Sequence, residues 1–192
     1  MNQITIFILA VFTLIGMPIR AVSAPVVDVK VDYYWVSGRT ASEIRNDLNR
    51  KTPIRQDGKK YDAHTDWFVK WNFWWNESSG LCTIKKVETR VDVQYVLPKL
   101  NRSGSIPSSL KQKWETYKKA FLHHENGHKD MGVRAAREIE KEIRNMAPRR
   151  TCKQLEIDAN RLGDKIVKKY KDVEREYDRK TNHGMNEGAV FP

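Results

Sequence analysis

"AFLHHENGHKDMG", Ala120–Gly132, lies inside a much longer pattern. Leu110, Trp114, Tyr117 and Phe121 precede it or open it, and Met131, Ala135, Ile139, Ile143 and Met146 follow, at steps of three and four. Such a row is one side of a helix, here starting after Pro107 and stopped by Pro148. A second helical row begins at about Lys153: Leu155, Ala159, Leu162, Ile166, Tyr170, Val173 and Tyr177. The link between them, "APRRTC", is short, so the two helices should lie antiparallel.

Outward toward the N-terminus the period changes to two. In "VVDVKVDYYWV", Val27, Val29, Val31, Tyr33 and Trp35 face one way and Asp28, Lys30 and Asp32 the other, the pattern of a half-buried strand. "TASEIRNDLNR" has Thr40 and Glu43 at capping-box spacing and predicts a short helix ending before Pro53. "DWFVKWNFWW" sets Trp67, Val69, Trp71, Phe73 and Trp75 on one face. "VETRVDVQYVL" does the same with Val87, Val91, Val93, Tyr95 and Leu97. With "NESSG" as the turn, these two runs predict an antiparallel pair that Pro98 ends. The aromatic stripe reads as core. The expected fold class is α+β, a small antiparallel β-sheet packed against two long antiparallel C-terminal helices. The tail "TNHGMNEGAVFP" should be irregular.

The chain has 192 residues, and residues 25–192 are about the size of one domain. Residues 1–24 read as a signal peptide. "ITIFILAVFTLIGMPI" is short for a membrane span, and Val22 and Ala24 occupy small-residue cleavage positions; the alternative is a retained anchor. Export to a periplasmic or secreted location is therefore expected. In an oxidising compartment Cys82 and Cys152 should form one disulfide, stabilising by roughly 4 kcal/mol on the chain-entropy picture. The net charge of +11 suits an anionic envelope surface as partner. Basic residues are interspersed with Glu and Asp and no phosphate loop is present, so nucleic acid is not an expected partner.

Within the quoted stretch, His124, Glu125 and His128 make H-E-x-x-H. A spacing of four puts both histidines on one helix face, here the buried row. Two imidazoles so placed can both reach one Zn²⁺ at about 2 Å. Glu125 is rotated off that axis and can reach a water on the metal, accepting its proton as general base and passing it to a leaving amine. Two buried imidazoles sharing no ligand would be costly. Gly127 costs about 1 kcal/mol in a helix, so some close approach should offset it. The first long helix is then a zincin-like active-site helix.

A third ligand is required. His183, in "TNHG" directly after the second helix, is the expected one; His64 is the runner-up, and a carboxylate elsewhere stays open. Asp130 points to another side of the helix and suits a supporting role. His123 is one residue off the row and reads as surface.

These residues resemble a bacterial family of unknown function whose members are predicted secreted zinc-dependent proteases. The resemblance runs through Thr65-Asp66-Trp67 with Trp71, Cys82, Leu97-Pro98, Trp114, the H-E-x-x-H with Asp130, Tyr177-Asp178 and Thr181-x-His183-Gly184. It implies a zinc metallopeptidase-like domain, and it supports His183 as ligand. The expectation is hydrolysis of a peptide or amide bond in a peptide, protein or cell-wall substrate. Tyr177 or His64 would steady the oxyanion. The alternative is a non-enzymatic cell-envelope binding module with a structural zinc or no metal. In that case a fourth protein ligand such as His64 or Asp178, bound together with the three histidines, should close the site.

Overall fold

A computed structural model describes residues 24–56, 58–101 and 106–192. The expected signal peptide lies outside the described residues except for Ala24. No helix among the described residues is long and apolar enough to cross a membrane.

Strand β1 is Val26–Val36 and helix α1 Ala41–Lys51. A two-rung hairpin follows, β2 Arg55–Gln56 and β3 Lys59–Lys60. Then come the long strands β4 His64–Ser78 and β5 Leu81–Leu100, helix α2 Ser108–Arg144, helix α3 Cys152–Thr181 and a 3-10 turn Met185–Glu187. Thr40 caps α1 by accepting the Glu43 N–H, and Thr52 closes it before Pro53. Thr151 caps α3 in the same way by accepting from Gln154 N–H. Ser79 and Gly80, with φ of 52° and 70°, make the tight β4–β5 turn.

The main sheet has the order β1-β5-β4. β4 and β5 are antiparallel, as the alternation predicts, but β1 lies parallel to β5 from Val26–Arg90 to Val36–Leu100. The sheet is therefore mixed rather than wholly antiparallel. Parallel neighbours need a long crossover, and the chain through α1, the small hairpin and β4 supplies it. Pro98 does not end β5: the ladder to β4 stops at His64–Val96, and the strand continues against β1 to Leu100. By Pro98 one side of β5 has no ladder partner, which is where a proline is tolerated.

α2 lies across β4 and β5. Leu110, Trp114, Tyr117, Phe121, Met131, Ala135, Ile139 and Ile143 are buried there against Trp67, Val87, Val91, Val93, Tyr95 and Leu97. α3 packs antiparallel along α2 through Leu155, Ala159, Ile166 and Tyr170. Cys82 and Cys152 form the disulfide, with Cα atoms 5.2 Å apart, and so join β5 to the start of α3. The row Val27, Val29, Val31, Tyr33 and Trp35 is exposed, not half-buried. Val27, Val29, Val31 and Tyr33 point the same way as their buried register partners Val91, Val93, Tyr95 and Leu97 on β5, but the helix layer does not extend over β1.

Candidate metal centre

α2 and α3 run antiparallel, so moving one turn up the first moves one turn down the second. His124 and His128 on α2 thereby face Asp178 and Glu174 on α3. The two Nε2 atoms are 3.2 Å apart, and each is 3.1 Å from Asp178 Oδ1. These three residues form a cluster that could hold a metal ion. Donors bound at 2.0–2.1 Å to one tetrahedral ion stand roughly 3.3 Å apart, so the set fits one. The fit extends to the far side of each ring. His124 Nδ1 lies 3.0 Å from Glu187 Oε2, and His128 Nδ1 lies 3.1 Å from Glu174 Oε1. A carboxylate on Nδ1 fixes the tautomer that leaves Nε2 for a metal and raises its basicity.

Burial by itself would lower the His128 pKa. Hydrogen bonds that His128 donates to Asp178 and Glu174 outweigh that and push it up to about 10. Asp178 moves oppositely: burial would raise it, but His124 and His128 hold it well below the usual carboxylate range. Glu125 is buried, and its pKa is raised by that desolvation, against the pull of the Thr65 hydroxyl, which donates to Oε2 at 2.6 Å. Thr65 stands at the start of β4, so the sheet itself fixes the orientation of this carboxylate.

Tyr177 explains Gly127. Its ring stacks on His124 with centroids 4.9 Å apart, and a Cβ on Gly127 would stand 2.7 Å from the phenol oxygen. Its hydroxyl donates to Glu187. Tyr177 therefore holds that carboxylate and the imidazole plane, and it does not point a free donor at a substrate. The offsetting close approach comes from the neighbouring helix.

The cluster opens on two cavities, of about 370 and 500 Å³, that share Gln56, His64, His128 and Asp178 in their walls. His64 is half-exposed with Nε2 3.2 Å from Asp66 Oδ2, outside the cluster and facing both cavities.

His183 is not the third member of the cluster; Asp178 is. α3 ends at Thr181, and the left-handed residues Asn182 and His183 turn the chain away. The His183 ring packs on Tyr61 at 4.3 Å, its Nε2 is 3.1 Å from the Tyr61 hydroxyl, and its Nδ1 stands 3.6 Å from Asp178 Oδ1. It lines the smaller cavity beside the cluster. Asp130 does not support the site either, since it is exposed and pairs with Lys129. That role falls to Glu174 and Glu187. His123 is exposed, as its place off the row implies.

Glu174, Glu187 and Tyr61 had no part in the site as read from sequence, and Asp178 entered only through the family resemblance and as a fourth ligand of the alternative, closed site. One signal was present: Glu174 and Asp178 repeat on α3 the four-residue spacing of His124 and His128 on α2, as an antiparallel helix pair requires.

The fold and this geometry define an α+β domain whose long helix presents a possible metal cluster to an open cleft. Residues 31–184 match the family described as bacterial protein of unknown function (DUF922), and the chain belongs to that family. No curated protein and no solved structure matches it.

Proposed function

We propose that the chain is an exported, zinc-dependent hydrolase of peptide or amide bonds. The observation that carries the reading is the convergence of His124 Nε2, His128 Nε2 and Asp178 Oδ1, with buried Glu125 beside them. Three protein donors of this kind suit a catalytic zinc, which keeps its fourth position open, better than a structural zinc, which is closed by four. Bound there, zinc supplies Lewis acidity toward a carbonyl oxygen and makes water a nucleophile near neutral pH.

Asp178, His124 and His128 hold the ion. Glu187 and Glu174 keep the two imidazoles in the metal-binding tautomer. Glu125, with Oε2 fixed by Thr65, takes the proton of the attacking water at Oε1 and returns it to the departing amine. Tyr61, His64 and His183 line the cleft and are the groups in place to donate to a developing oxyanion. The disulfide supports an oxidising location, periplasmic or extracellular.

The test is zinc content and peptide hydrolysis measured together on tag-free protein. One zinc per chain is expected in wild type, in Glu125→Gln and in His183→Ala, with none retained by His124→Ala. Hydrolysis of a mixed-sequence peptide pool should fall about 10²- to 10⁴-fold in Glu125→Gln. Full activity in that variant, with zinc still bound, would remove the mechanism.

A further inference from the structure

The uncovered apolar row lies on the sheet edge opposite the metal cleft. Val26, Val27, Val29, Val31, Tyr33 and Trp35 are all exposed, Val29 to 53% and Trp35 to 51%. β1 pairs along one side with β5, and among the described residues no strand pairs with its other side. Among the described residues, an eleven-residue edge thus presents backbone groups without a strand partner together with apolar side chains. Such edges are usually blunted by a proline, a bulge or charged side chains; β1 has no proline and keeps an unbroken register with β5, and its charges, Asp28, Lys30 and Asp32, include the ion pair Lys30–Asp32. A lipid surface would cover the side chains but would leave the backbone groups unsatisfied. Another strand satisfies the backbone groups and sets its own side chains beside the apolar row.

The polar side of β1 indicates which strand. We propose that β1 is a two-fold dimer interface, pairing antiparallel with β1 of a second copy and with Val31 on the axis. Val31 is the midpoint of Val26–Val36, so this register overlaps the whole strand. It also sets Lys30 opposite Asp32 of the second copy, twice, by symmetry. Val29 then meets Tyr33 of the second copy, and Val27 meets Trp35. An axis at Lys30 would oppose Lys30 to itself and Asp28 to Asp32 of the second copy. An axis at Val29 would shorten the overlap to Val26–Asp32. Greatest overlap and charge complementarity therefore select one register, and cross-strand pairs of this kind are what stabilise a sheet. Tyr33 and Trp35, already topped by the Lys99 ammonium, border a cavity of about 390 Å³ against Trp114 and Leu122 of α2. Val27 of the second copy is brought to its mouth. The two copies would join into one six-stranded sheet, with the β4 edges and both metal clefts left outward.

Sedimentation equilibrium of the purified protein across about 1–100 μM, a range of ordinary subunit affinities, is the first measurement. A concentration-dependent dimer is expected; a monomer throughout overturns the proposal. Lys30→Asp and Asp32→Lys should each weaken the dimer about tenfold, and the double swap should restore it. All should melt like wild type, because these side chains are exposed. A dimer indifferent to both single variants overturns the proposal. Cysteine placement fixes the register independently. Val31→Cys should form an intermolecular disulfide under air, since opposed Cα atoms stand about 4.5–5.5 Å apart. Val29→Cys should not, since the two copies of residue 29 would lie about 13 Å apart along the strands. Cross-linking at Val29 and not at Val31 overturns this register.

Discussion

The two edges of the sheet begin from the same sequence pattern and end differently. β1 and β4 both alternate apolar with polar residues. On β4 the apolar row lies under α2 and α3 from Trp67 to Phe73, while Trp75, expected in the core, is 40% exposed. Trp67 is 1% exposed and packs on Gly132, Trp71 packs on Gly163, and Thr65 orients Glu125. On β1 the corresponding row ends in Trp35, half-exposed, with Lys99 above it. Alternation reports which side a residue faces. It does not report whether another layer reaches that far. The covered edge is where Glu125 and the donors beside it are held by packing. The bare edge is where another strand can bind.

The sharpest break of this comparison is Trp67→Ala against Trp35→Ala. Removing Trp67 should cost about 3–5 kcal/mol in denaturant unfolding, because it leaves a cavity between β4 and α2. The second carboxylates at the site come next. Glu174→Gln should weaken zinc binding about 10- to 100-fold in a chelator competition while the fold is kept, since it replaces the charged acceptor that orients His128 with a neutral amide.

Asp47 tests a place where the β1 end is tied down. Buried on α1, it accepts the Ser37 N–H and pairs with Arg50 and Lys51. Burial would raise its pKa, but those partners lower it to about 2. A depressed folded-state value means that its stabilisation is present above the unfolded value near 3.9 and is lost as pH falls toward 2. Wild type should therefore lose about 2 kcal/mol more than Asp47→Asn between pH 5 and pH 2. Equal losses would show that the β1–α1 tie contributes nothing. Trp35→Ala should have the smallest effect, below about 1 kcal/mol on the stability of the single chain.

Much of the fold was legible along the chain because local periods encode it. Thr40 with Glu43, and the long α2 row between two prolines, mark helices whatever they pack against. The H-E-x-x-H pair was legible for the same reason, since four residues on a helix fix a face. The third donor was not legible in this way. His183 follows α3 directly, yet two left-handed residues turn it onto Tyr61, while Asp178, still inside the helix, faces the histidines. That choice depends on how α3 slides along α2, which no local period records.

The sequence by itself determined the elements, their inward faces and the turn of α2 that carries His124, Glu125 and His128. Tertiary structure decided the parallel placement of β1, the carboxylates that complete the cluster, and which apolar row was left uncovered. The physical reason is one of range. Backbone periodicity and capping act within a few residues. Register between helices, and the extent of one layer over another, are set by contacts between residues tens of positions apart.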